Sequence, residues 1–144
     1  MLVSQILKDK DLAGVETVKP GTKVAAAAAF LSEKGIGAVI VSEDGVHPAG
    51  ILSERDVVRE LGSRGTPCLD DVVDNLMTSK LVTCSPSDRA IQVLQVMTEG
   101  RFRHMPVMDG DEMVGVVSIG DVVKARLDEL SSQADALKNM IMGY

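Results

Sequence analysis

The stretch Gly50-Ile51-Leu52-Ser53-Glu54-Arg55-Asp56-Val57-Val58 is answered later in the chain by Gly115-Val116-Val117-Ser118-Ile119-Gly120-Asp121-Val122-Val123. Each reads as glycine, two apolar residues, a serine, two variable positions, an aspartate and a valine pair. The apolar pair after glycine suits the end of a buried strand. Serine followed three residues later by an acid suits the first turn of a helix, where a hydroxyl and a carboxylate accept otherwise unpaired backbone N–H groups. One strand-to-helix junction is therefore written twice.

Working outward, the repeat extends over most of the chain. Thr17-Val18-Lys19-Pro20 matches Thr83-Cys84-Ser85-Pro86, with an offset of 66 at the prolines and 65 at Asp56 and Asp121. One residue is thus lost in the hairpin between these marks. Each copy starts with a short strand, Val15 to Val18 or Leu81 to Cys84, and a proline turn. A helix is predicted over Lys23 to Lys34 in the first copy and Asp88 to Gly100 in the second. The alanine run Ala25 to Ala29 predicts close packing of the first helix on a sheet. The apolar runs Val39-Ile40-Val41 and Met105-Pro106-Val107 read as buried strands. Glu43-Asp44-Gly45 and Asp109-Gly110-Asp111 read as hairpin turns. The expected fold is α/β of the α+β kind: two β-α-β-β-α repeats packed sheet to sheet about a pseudo-two-fold axis. A repeat of about 50 residues builds an adequate core poorly by itself, which favours mutual packing. The expected boundaries are 1–61 for the first repeat, 62–71 for a polar linker, 72–127 for the second repeat and 128–144 for a C-terminal helical extension.

Composition narrows the function. The 144 residues carry a formal net charge of −6, with two Phe, one Tyr and no Trp. An acidic surface poor in aromatic platforms is a poor match for nucleic acid, which is bound mainly through phosphate neutralisation and base stacking. Cys68 and Cys84 have no metal-ligand or CxxC spacing, so reduced thiols are expected. No apolar run is long enough to span a bilayer. These features predict a cytoplasmic protein with no membrane partner. No P-loop, G-x-G-x-x-G or clustered metal ligand is present, and no nucleophile is paired with a base. The chain is expected not to be an enzyme, and no metal and no catalytic cofactor are expected.

Taken together, the two junctions, the full-length repeat and the run Arg101-Phe102-Arg103-His104-Met105-Pro106-Val107 resemble a pair of cystathionine-β-synthase (CBS) domains, a Bateman module, and in particular small bacterial proteins made of this module alone. The likeness leaves the N-terminal stretch and the C-terminal helix outside. It implies binding of adenine nucleotides in clefts between the repeats, with AMP or NAD(H) as the expected ligand and ATP as a further candidate. It also implies a homodimer and regulation of another, unidentified protein. By the same resemblance Asp56 and Asp121 hold a ribose diol, and Ser53 and Ser118 contact ribose or phosphate. A carboxylate accepts two hydroxyls side by side and repels a 2′-phosphate, so NAD is expected in preference to NADP.

The resemblance also distributes the remaining site residues. Arg103 and His104 fall on the phosphate path, where the first copy has Gly37 and Ala38. Arg55, facing Gly120 in the other copy, could reach the same anion. Ile36, Ala38 and Thr17 are expected around the nucleotide held by Asp121, and Val82 and Phe102 around that held by Asp56. The two sites are therefore expected to be unequal. The alternative is a structural dimer with vestigial clefts that recruits a partner through its tail. Val123, Leu127, Leu130, Ala134, Leu137 and Ile141 make one apolar stripe along a predicted C-terminal helix.

Overall fold

The computed structural model describes residues 1–10 and 15–143. In chain order the elements are α1 (Val3–Asp9), β1 (Thr17–Val18), α2 (Val24–Lys34), β2 (Ala38–Val41), β3 (Gly50–Ser53), α3 (Glu54–Arg64), α4 (Ala90–Gly100), β4 (His104–Asp109), β5 (Glu112–Ser118) and α5 (Ile119–Met142). Short 3-10 turns cover Thr66–Asp70 and Val73–Asn75. The described residues divide into two compact units. One comprises residues 1–10, 83–108 and 115–143 and contains Asp121. The other comprises 15–82 with the hairpin tip 109–114, and contains Asp56.

In the Asp56 unit, β1 runs parallel to β2 with Thr17 opposite Ile40, and β2 pairs antiparallel with β3, placing Ala38 opposite Ser53. Strand β2 is nearly all branched apolar residues, and Val39, Ile40 and Val41 are all buried. Helix α2 lays Val24, Ala27 and Leu31 over a core that includes Val39, Val41, Leu52, Val57 and Val73. Of the alanine run, Ala27 is buried, whereas Ala25, Ala26 and Ala29 are exposed. Close packing is thus confined to one stripe, as a 3.6-residue period requires. Helix α2 starts at Val24, with Lys23 as its N-cap, and ends on Gly35 in the left-handed region at φ 64°.

The Asp121 unit repeats this plan with α4, β4 and β5. Val3 and Ile6 of α1, Val93 and Met97 of α4, Met105, Val107 and Val117 of the hairpin, and Val122 and Ala125 of α5 share one core. The expected strand Leu81 to Cys84 reduces to a single parallel bridge between Cys84 and Val107. The Ser85 amide donates to the Asp88 carboxylate at 2.8 Å, and a turn begins immediately after Cys84. That use of Asp88 moves the helix start from Asp88 to Ala90, with Arg89 as N-cap and its N–H donating to Gln92 Oε1.

Two further features go beyond the sequence reading, and a third, the long C-terminal helix, agrees with it. Within 62–71, α3 continues to Arg64, and Cys68 in the following 3-10 turn is fully buried. The N-terminal stretch is a helix whose Val3 and Ile6 are core residues. Helix α5 runs unbroken through 127/128 to Met142, and its tail exposes Leu127, Leu130, Leu137 and Ile141. Among the described residues, no helix is long and apolar enough to cross a membrane.

Candidate functional site

Both Ser-x-x-Asp junctions close as reciprocal caps. The Ser53 backbone N–H donates to Asp56 Oδ2 at 2.8 Å, Ser53 Oγ donates to the same oxygen at 3.0 Å, and the Asp56 amide donates back to Ser53 Oγ at 3.3 Å. In the other unit the Ser118 amide donates to Asp121 Oδ2 at 2.8 Å and the Asp121 amide to Ser118 Oγ at 3.1 Å. The strand places the serine in extended backbone and the helix places the aspartate one turn later, so the pair meets as a capping box. Each carboxylate is thereby fixed in orientation at a helix N-terminus, where a negative charge is stabilised.

The surroundings of the two carboxylates differ. Asp56 is buried, and its Oδ1 accepts from Arg59 of its own helix at 3.0 Å. Asp121 is half-buried and takes a cation from far away in sequence. Lys10, the residue after α1, donates from Nζ to Asp121 Oδ2 at 2.7 Å and to the Val116 carbonyl at 2.9 Å. Burial alone pushes the Asp121 carboxyl upward. Hydrogen bonds from Lys10 and Ser118, with the Lys10 charge, outweigh that and hold it below its ordinary value of 3.8.

The residues expected on the phosphate path flank the same junctions. Arg103 is exposed, and its carbonyl accepts the Ile119 amide at 2.7 Å, while Gly37 accepts the Glu54 amide in the matching position at 2.9 Å. This correspondence places His104 at the first position of β4 where Ala38 begins β2. His104 is half-buried, and Arg55 is exposed on the first turn of α3. Arg101 ends α4 in the left-handed region at φ 57°, the position held by Gly35 in the other copy.

The remaining expected residues divide between the units. Thr17, Ile36, Ala38 and Val82 belong with Asp56, and Phe102 belongs with Asp121. Ile36 packs on the core of its unit and Phe102 on the other, both partly buried, whereas Val82 is 45% exposed. Among the described residues, no group of three or more His, Cys, Asp or Glu side chains could hold a metal ion. Lys10 escaped the sequence reading. A signal was present in the spacing, since Val3, Ile6, Leu7 and Lys10 match Val73, Leu76, Met77 and Lys80 at a constant offset of 70.

Comparison with known proteins accounts for this geometry. Residues 4–63 and 72–128 match the CBS domain family model, so the N-terminal stretch lies within the likeness rather than outside it. The CBS domain-containing protein CBSX3, mitochondrial, of Arabidopsis thaliana is 35% identical over 117 residues, covering 78% of this chain; the chain spans 57% of that relative's length. The crystal structure of the CBS-domain containing protein ATU1752 from Agrobacterium tumefaciens superposes with a TM-score of 0.83 at 38% identity, covering 88% of this chain and 99% of that one. CBSX2, whose crystal structure is a complex with AMP, superposes with a TM-score of 0.73 at 27% identity, covering 88% of this chain and 96% of that one. The chain belongs to the CBS-domain family, as a tandem pair of these non-catalytic regulatory modules.

Proposed function

We propose that this chain is an adenine-nucleotide sensor in which Asp56 and Asp121 each hold a ribose diol. The observation that carries this reading is the repeated carboxylate: in both copies a backbone amide fixes Oδ2 at 2.8 Å, at the start of a helix. A pre-oriented acceptor avoids ordering costs when a diol arrives. The AMP complex of CBSX2 supports the choice of ligand class. AMP or NAD(H) is the preferred ligand, and ATP is a further candidate. Arg103, His104 and Arg55 take the phosphate, with Ser53 and Ser118 beside the sugar. Thr17, Ile36, Ala38, Val82 and Phe102 are the further residues proposed to line the nucleotide. The cationic sulfonium of S-adenosylmethionine suits the basic run at Arg101 to His104 poorly.

Calorimetric titration with AMP, NAD and ATP tests this reading, using Asp56→Asn and Asp121→Asn to retain a capping acceptor. The expected result is micromolar to sub-millimolar binding with loss of one binding event in each variant. Absence of binding up to millimolar AMP, NAD and ATP would reject it.

A second reading is favoured by α5, whose Leu127, Leu130, Leu137 and Ile141 are 61%, 48%, 57% and 78% exposed. In it the chain is a homodimer or recruiter of a regulated protein, and the nucleotide sites are vestigial. Sedimentation and partner capture with and without residues 131–144 separate the two. Association that needs the tail but survives loss of both aspartates favours the second.

A further inference from the structure

The Asp121 carboxylate is bound by a residue that arrives from a separate, firmly anchored element. The Val3 amide donates to the Asp88 carbonyl and the Ser4 amide to the Pro86 carbonyl, both at 2.9 Å, while Val3 and Ile6 are buried. The Lys10 amide closes α1 on the Ile6 carbonyl at 3.2 Å. The ammonium then reaches two acceptors at once, Val116 O and Asp121 Oδ2.

The other unit solves the same backbone problem differently. Ile51 corresponds to Val116, and its carbonyl accepts the Thr78 amide at 2.9 Å while its amide donates to Thr78 O at 3.0 Å. A strand-like bridge satisfies Ile51, and among the described residues no cation from that segment bonds Asp56. The cation there is Arg59, an i,i+3 partner whose side chain is 64% exposed and bonds Oδ1. Oδ2 carries two donors at both carboxylates, the Ser53 amide and the Ser53 hydroxyl at Asp56 and the Ser118 amide and the Lys10 ammonium at Asp121; a hydroxyl turns aside without unpairing a charge, whereas the ammonium does not. The accepting directions on Asp121 Oδ2 are taken, and the Ser118 amide cannot leave without undoing the helix start.

We propose that Lys10 is an internal competitor for Asp121, a cation whose hold on Oδ2 a ribose diol must weaken to take both carboxylate oxygens. The consequence is that Asp121 is the weaker of the two nucleotide carboxylates, and that its occupancy releases the end of α1. This inference rests on the nucleotide reading of Asp121 given above. The competition is graded rather than blocking. The ion pair is partly exposed on both sides, at 29% for Lys10 and 23% for Asp121, and such pairs are individually weak.

The test is calorimetric titration with AMP on an Asp56→Asn background, which leaves Asp121 as the site read. Lys10→Met and Lys10→Gln are each expected to tighten AMP binding about two- to fivefold, the size of a partly exposed ion pair. Carbon-13 titration of the Asp121 carboxyl in the ligand-free protein is expected to move upward in both variants. Affinity that is unchanged or weaker in both variants overturns the competitor role, because a merely positioning lysine or a phosphate contact would give that result. Failure of the Asp121 titration to move overturns it as well. Absence of AMP binding in wild type and every variant rejects the nucleotide reading itself, and this inference with it.

Discussion

Ser53 and Asp56 hold each other in both directions, with Asp56 Oδ2 accepting the Ser53 amide at 2.8 Å and Ser53 Oγ accepting the Asp56 amide at 3.3 Å. Ser118 and Asp121 repeat the arrangement. The residues assigned to the ligand are therefore also structural. Ser53→Ala and Ser118→Ala are each expected to cost about 0.5–2 kcal/mol, measured by urea denaturation without ligand. Asp56→Ala is expected to cost more than Asp56→Asn, because the partly buried Ser53 amide and Arg59 lose their acceptor together. Loss of nucleotide binding in an alanine variant is informative only beside that melting control.

The glycines that open the two junctions are held by contact rather than by backbone conformation. A Cβ on Gly50 would overlap Met77 Sδ and lie 3.0 Å from the Thr78 carbonyl oxygen. On Gly115 it would meet Leu7 Cδ2 at 2.7 Å, a side-chain tip. Leucine can shift its rotamer, whereas the Thr78 carbonyl is pinned by its bridge to Ile51. Gly50→Ala is expected to destabilise by about 1–3 kcal/mol and Gly115→Ala by less, read as the difference in denaturation midpoints.

These contacts show what was legible in the sequence. The junctions, the helix α2 and the hairpins follow from apolar period, glycine and capping chemistry, all of which act over a few residues. The helix expected from Asp88 starts at Ala90 because Asp88 reaches back to the Ser85 amide, a side-chain choice that periodicity does not encode. The carboxylates Asp56 and Asp121 were legible as a pair, but their inequality was sought only in Arg103, His104 and Arg55. The ion pair of Lys10 with Asp121 spans 111 residues, and nothing local announces it. Only the weak repeat of Val3 to Lys10 in Val73 to Lys80 pointed to that segment.

Arg101 offers a prediction of opposite sign. It ends α4 at φ 57° and ψ 43°, a conformation that costs a residue with a side chain and that glycine adopts freely. Gly35 holds the same place after α2, with nothing within 4 Å of a would-be Cβ, so the constraint there is purely conformational. Arg101→Gly is expected to stabilise the protein by about 0.5–1 kcal/mol, and Gly35→Ala to destabilise it by about 1 kcal/mol. Thermal melting of the two single variants checks both signs. If the arginine also contacts the nucleotide phosphate, the stabilised variant binds AMP more weakly.

The hairpin of the Asp56 unit carries a titration that can be followed without ligand. His47 Nδ1 lies 2.6 Å from Asp44 Oδ2, and Asp44 Oδ1 accepts the amides of Val46 and His47 at 2.8 Å each. The Asp44 hydrogen bond first, then its charge, raise the His47 pKa above 6.5, with Asp111 and Glu112 adding to the shift and desolvation opposing it. The His47 amide, followed by the His47 side chain, holds Asp44 well below the usual carboxylate range. A histidine raised in the folded state contributes stability that is fully present below pH 6.5 and is lost as pH rises through the higher folded value. Proton NMR of the His47 ring is expected to titrate above 6.5 in wild type and to fall back toward it in Asp44→Asn. Because both side chains are about half exposed, added salt should shrink the difference. A His47 titration at its ordinary value in wild type would show that the Asp44 contact does not persist in solution.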